Sequence, residues 1–159
     1  MDAEGVKPDD FLTSARTLVE AAKGRPLPAN LRRAISSVYY ALFHTLGETC
    51  AKMLIGDQAT ERAWMHVYRA LDHRPAKDAC NRIDYITRFP DPIQDFAARF
   101  VQMQTKRHSA DYDPDAFFYK SEVTADIAAA EQVIFAFRKV QGRHRRAFAA
   151  YVLLKLPRQ

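Results

Sequence analysis

Cysteine is nearly missing from this chain, and the two residues present, Cys50 and Cys80 among 159, are isolated. Neither belongs to a CxxC pair or a zinc-like spacing, which argues against a structural metal and a disulfide framework. Two scattered thiols suit a reducing compartment, so a cytoplasmic protein is expected. The first residues, Met-Asp-Ala-Glu-Gly, have neither the basic start nor the apolar run of a signal peptide. No apolar stretch approaches the ~18 residues of a membrane span, so no membrane association is expected. Glycine is scarce as well, and none of it forms a phosphate-cradling loop; an HExxH pair and a nucleophile elbow are also missing. Alternation of apolar and polar residues, internal repeats and low-complexity segments are absent too.

What is present reads as helix. Apolar residues make up 48% and charged residues 27%, ordinary for a globular protein, and the length suits one domain over residues 1–159. Pro8-Asp9-Asp10 opens a helix with an apolar stripe at Phe11, Leu12, Ala15, Leu18, Val19 and Ala22, and Gly24 suits its stop. A long helix is predicted from about Ala29 to Ile55, where Leu31, Ile35, Val38, Leu42, Leu46, Cys50, Met53 and Leu54 recur at three- and four-residue steps; Gly56 and Asp57 end it. Trp64, Val67, Tyr68 and Leu71 mark a further helix that stops near Arg74-Pro75, with a short helical turn from Ala76 to Ile83. Phe89-Pro90-Asp91-Pro92 is a break, and Asp91 is expected to cap a helix through about Arg107. Tyr112-Asp113-Pro114-Asp115 breaks the chain again. The last long helix begins near Ser121 and carries Val123, Ile127, Ala130, Ile134 and Phe137. Gly142 kinks it or separates a final helix holding Phe148, Val152 and Leu156. The fold class is therefore all-α, an antiparallel bundle of four to six helices.

Charge is uneven. The net charge is +5, and the basic segment from about 138 to Gln159 holds seven Lys or Arg and no acid, which leaves −2 for the rest. Such a segment suits nucleic acid or an acidic partner, or a solvated helix face. Phe135, Phe148, Tyr151 and Leu154 exceed what one narrow core stripe needs, which suggests a homodimer interface. The other reading packs them against the short Trp64 helix within one chain.

The most informative stretch is Arg107-His108-Ser109-Ala110-Asp111-Tyr112, which gathers a guanidinium, an imidazole, a carboxylate and a phenol. Upstream lies Arg33-Ala-Ile-Ser-Ser-Val-Tyr-Tyr-Ala-Leu-Phe-His44. Together these resemble the HEPN family of small helical domains: the first as the Arg-x-x-Ala-Asp-Tyr pattern of one HEPN-like subgroup, the second as an Arg, a Tyr-Tyr-Ala core and a Phe-His end. Ala128-Ala129-Ala130-Glu131 adds to the likeness, which covers most of the region from Leu31 to Val140.

The resemblance implies an all-helical homodimer with Arg motifs facing a shared cleft, and an RNA-associated role in a toxin–antitoxin or defence system, with a nucleotidyltransferase-type antitoxin as partner. It implies metal-independent RNase chemistry without a cofactor, in which the Arg holds the scissile phosphate and a His moves a proton. A guanidinium can clamp the charge gathering on a phosphorane, and proton transfer needs a group titrating near the working pH. Carried onto this sequence, Arg107 takes the family Arg and Tyr112 stands where the shortest spacing places the His. His108 is the substitute acid or base, so Arg107, His108 and Tyr112 form the candidate catalytic set. Arg33, Arg107, Asp111 and Tyr112 form the RNA-binding or structural cluster. The alternative is a non-catalytic helical dimerisation or protein-interaction module, in which Asp111 salt-bridges Arg107 or Arg33 to lock a helix end.

Other constellations are weaker. Arg138 and His144 match the Arg-to-His spacing but follow the last long helix. Asp111, Asp113, Asp115 and Glu122 match four positions of a calcium-loop template, yet Ala116 stands where the sharp turn requires Gly and Pro114 falls inside the loop, so no metal is expected. His44, Tyr39 and Tyr40 read as packing residues, with hydroxyls that need partners. His66 and His73 have no acidic or thiol companions suited to a metal.

Overall fold

Prolines fix where three of the long helices begin. Pro8 and Pro28 open α1 (Pro8–Glu20) and α2 (Pro28–Leu54), and Pro92 is the second residue of α6 (Asp91–Tyr112). Their missing N–H groups fall in the first turn, which has no intrahelical acceptor to lose. The computed structural model describes residues 7–21, 23–56 and 61–155. Its other elements are α3 (Glu61–Ala70), α4 (His73–Cys80), α5 (Ile83–Ile86), α7 (Lys120–Arg138) and α8 (Gly142–Leu153), and no strand occurs among the described residues. The protein is thus all-α. Five helices of 12 residues or more make the bundle, and α3, α4 and α5 are short additions. No described helix is long and apolar enough to cross a membrane.

α2 is the axis, with α1, α3, α6, α7 and α8 all packed on it. Val38, Tyr39, Leu42 and Leu46 are fully enclosed there, facing Phe96, Phe100 and Met103 of α6 and Ile134 and Phe137 of α7. Each such side chain contributes on the order of 2 kcal/mol through burial. Phe96 stacks on Phe137 at 4.2 Å, and Phe148 meets Phe137 edge-on at 5.9 Å. Most stripe positions expected in the long helices are buried, but Phe11, Leu18 and Met53 are half-buried, Leu54 is exposed and α3 has no buried residue; Ala22, Asp57 and Leu156 lie outside the described residues.

Three boundaries differ from expectation. α4 begins at His73, so Pro75 sits in its first turn and the break falls at Leu71-Asp72. Asp91 is the first residue of α6 and makes no cap hydrogen bond; Pro90 holds the cap position. Of the two outcomes expected at Gly142, the structure has the separate helix α8. α6 also continues past Arg107 to Tyr112, which makes residues 107–112 helical throughout instead of a connection between helices. Asp113, forced out of the helical region by Pro114, ends it with φ −99° and ψ 106°. Gly56, with φ +82°, adopts the left-handed turn that follows α2 and that a side chain would resist.

Candidate functional site

The C-terminal part of α6 runs antiparallel to the start of α2, which brings the two resemblance-bearing stretches together. Ser36 donates from its hydroxyl to Asp111 at 2.7 Å, and one turn along α2 the Tyr39 ring lies under the Arg107 guanidinium at 5.1 Å. Tyr40 supplies a second ring at 5.5 Å. The Asp111 carboxylate pairs with Arg107 Nε at 3.4 Å across one helical turn. That contact is an ion pair and not a hydrogen bond, and Nε has no hydrogen-bond partner although it is buried. The Arg107 side chain is only 17% exposed, yet its two terminal nitrogens bond nothing among the described residues and are not among the buried polar atoms left without a partner. They are held in place and open to solvent.

The histidine beside Arg107 is His73, from the start of α4. Its Nδ1 is 2.6 Å from the hydroxyl of fully buried Tyr39, and its ring lies flat on Phe43 with centroids 4.0 Å apart. Gln104 of α6, one turn before Arg107, donates to the His73 carbonyl at 3.1 Å. Burial first, then the Arg107 charge, hold the His73 pKa below its ordinary value, with Asp72 opposing. Burial holds the Tyr39 phenol well above its usual value despite Arg107. Both groups are therefore neutral near pH 7, and Tyr39 keeps a proton that it can place toward or away from Nδ1.

His44 lies one turn further along α2, stacked on Phe11 at 5.0 Å and hydrogen-bonded through Nδ1 to the Tyr68 hydroxyl. Burial lowers its pKa, aided by His73. Tyr68 is pushed up to about 12 by burial and by Glu48. The Tyr68 ring lies against Gly47, where a β-carbon would make van der Waals contact with it at 3.4 Å. Tyr39 with His73 and His44 with Tyr68 thus form two hydrogen-bonded pairs.

The structure divides the residues singled out in the sequence. Arg107 and Asp111, four apart, face α2. His108 and Tyr112, also four apart, face solvent with their rings 5.0 Å from each other, and Tyr112 is 68% exposed. Neither joins Arg107 in one site, because neighbours on a helix diverge by about 100°. Arg33 does not join the cluster either: it is exposed, without a partner among the described residues, and Asp111 turns to Ser36 and Arg107 instead. Its neighbour Arg32 is the one engaged. Arg32 donates to the carbonyls of Ala110, Asp113, Pro114 and Ala116 at 2.6–3.3 Å, tying the α6–α7 connection to α2. His73 and Arg32 are the two residues that sequence reasoning missed.

The remaining candidates have other occupations. Arg138 pairs with Asp9 at 3.0 Å. Arg145 and Arg146 donate from Nε to the carbonyls of Val140 and Met53. The Asp113 carboxylate accepts from the Asp115 N–H, and Glu122 pairs with Lys106, which also binds buried Asp126 at 2.7 Å. No group of three or more His, Cys, Asp or Glu is arranged to hold a metal ion among the described residues. Phe148 and Tyr151 pack inside the chain, against Phe89, Phe137 and Tyr85 and not against the Trp64 helix, while Phe135 and Leu154 stay 62% and 67% exposed. No protein-family model, curated protein or solved structure gives a match to this chain.

Proposed function

We propose that the chain is a HEPN-like, RNA-associated helical protein that grips an RNA phosphate with Arg107. One observation carries this reading: a guanidinium braced by two tyrosine rings and a carboxylate keeps both terminal nitrogens free of protein partners. A planar fork held in one orientation matches two phosphate oxygens, and its immobilisation cost is already met by the fold. The sequence resemblance adds the substrate class and the setting, a toxin–antitoxin or defence system with a nucleotidyltransferase-type antitoxin. A homodimer belongs to the same reading, with exposed Phe135 and Leu154 as the apolar residues left for a second copy.

Binding of single-stranded RNA by wild type and Arg107→Ala, measured across a salt series, tests it. Loss of a charge-assisted bidentate contact costs about 1–3 kcal/mol, roughly a five- to 150-fold rise in Kd. The slope of log K against log salt should shrink by about 0.7, one phosphate's worth. Light scattering at micromolar concentration tests the dimer, and a monomer counts against it.

The second reading, a non-catalytic interaction module, is favoured by the same Asp111 contact. If Arg107 is only a helix-end brace, its loss leaves RNA affinity unchanged and lowers the melting temperature sharply.

A further inference from the structure

We infer that the trough bounded by α7, the α1–α2 connection and the α6–α7 connection is a docking site for an amphipathic helix of another protein, one with carboxylates at one end. The trough involves none of the residues around Arg107, and the inference does not rest on the RNA reading.

Shape comes first. An open, mainly apolar hollow of about 900 Å³ lies there, with Leu31, Phe118, Ala125 and Ala128 in its lining. Leu27, Phe117 and Tyr119 around it are all more than half exposed. Apolar surface gathered in this way on one side of a molecule marks an interaction site. A second hollow of about 460 Å³ shares Lys120, Thr124 and Ala128 with the first and runs on along α7 to Glu131. The stretch from Ser121 to Glu131 is about 15 Å of helix, so the trough is long and unenclosed. Small-molecule sites are concave and bury most of their ligand, whereas an elongated open trough suits a peptide segment. The α7 side chains that line it are short, which lets the backbone of a second helix approach closely.

Charge then selects the occupant. Arg25 and Lys120 line the broad end, and neither has a carboxylate partner among the described residues. Arg25 lies over the Phe117 ring at 5.2 Å, which holds its charge beside the apolar floor. At the far end Arg16 and Glu131 neutralise each other, and Glu20 is acidic. A matching segment therefore carries apolar side chains along one face and carboxylates at the end that meets Arg25 and Lys120. A second copy of this chain does not offer that. Its exposed Phe135 has the Lys139 ammonium 4.0 Å from the ring centroid, and its exposed Leu154 precedes Lys155. Both would bring like charge against Arg25 and Lys120. Stacked bases also fit poorly. Phe117 and Tyr119 meet at 77° and Arg25 covers Phe117, so the rings do not present successive parallel faces.

The test selects binders on the immobilised full chain from a displayed library of peptides of about 16 residues, ~24 Å as a helix, with Leu or Phe fixed at helical spacing and every other position random. Selected peptides should be enriched in Asp and Glu toward one end, and synthetic copies should gain helical circular dichroism on binding. Ala125→Arg places a long side chain in the trough with little cost to the helix, and it should weaken these peptides by about tenfold or more. The double variant Arg25→Glu, Lys120→Glu should lose a similar factor. On that variant, a peptide with its carboxylates exchanged for Lys should recover the affinity, which a merely damaged fold would not allow. Arg107→Ala should bind the selected peptides as wild type does, whatever its effect on RNA. Selection that yields no peptide sensitive to Ala125→Arg, binders without acidic enrichment, or a failed charge exchange overturns the inference. Two further results reassign the trough and overturn it as well. One is a single-stranded RNA affinity that falls in Ala125→Arg although that variant adds positive charge; the other is a dimer that becomes a monomer in Ala125→Arg.

Discussion

Arg32 and Arg107 lie at the two sides of the same helix junction, and they use their donors in opposite ways. Arg32 spends its terminal nitrogens on four backbone carbonyls of the α6–α7 connection, over the Phe118 ring at 5.9 Å. Arg107 is held by aromatic faces and a single carboxylate, and its terminal nitrogens bond nothing among the described residues. The first arginine closes a loop whose carbonyls need donors. The second is positioned but unspent. An arginine's role follows from where its hydrogen bonds end, and the motif that contains it does not decide the matter.

Removing each arginine separates the two regions. Arg32→Ala leaves the Ala110 and Ala116 carbonyls without their donor and frees the connection, for a loss of about 2–4 kcal/mol in denaturant unfolding. Its RNA affinity should change little. Arg107→Ala gives up two cation–π contacts of about 0.5–1 kcal/mol each and a partly exposed ion pair, so it should cost about 1–2 kcal/mol in stability while losing most of the RNA affinity. If the two variants exchange these phenotypes, the comparison is wrong and Arg32 is the better candidate for the phosphate.

A smaller effect comes from pH. His73 and His44 both have pKa values below the ordinary imidazole value, for which burial is the first cause. The unfolded chain therefore takes up protons before the folded one does. Above the ordinary value both states are neutral and the pair contributes nothing; as pH falls through and below it, the unfolded state is favoured. Melting temperature should decline from pH 8 toward pH 5, with His73→Asn flattening part of that decline. A melting temperature that rises on acidification across this range would contradict the buried, neutral assignment.

The sequence carried the helices well and the site only in part. Apolar stripes such as Leu31, Ile35, Val38, Leu42 and Leu46 repeat with the helical period, and all five are buried. The end of α6 was obscured by Tyr112-Asp113-Pro114-Asp115, which reads as a breaker and led to a helix expected only through about Arg107. In fact proline excludes only the preceding residue from the helical region, so the helix runs to Tyr112. That extension settles the phase, placing Asp111 beside Arg107 and turning His108 and Tyr112 away. Arg33 was preferred over Arg32 because it opens the resembling stretch, but one residue is enough to change the face. His73 left no local signal at all. It lies 34 residues from Tyr39 and 31 from Gln104, and only tertiary packing joins them.

The outer face of the same turn gives the last test. Tyr112→His restores the residue type that the resembling family carries at this spacing, so a reading from spacing alone expects it to create or raise RNA cleavage. The structure puts position 112 on the exposed side of α6, against His108, while Arg107 faces α2. An imidazole introduced there has no path to a phosphate held by Arg107 unless the end of the helix unwinds. Tyr112→His should therefore change stability by less than about 0.5 kcal/mol, as other exposed substitutions do, and RNA cleavage by less than about twofold. Tyr112→Phe and His108→Ala should be equally mild. A large gain of cleavage in Tyr112→His would show that the terminal turn of α6 rearranges on RNA and that the outer face belongs to the site.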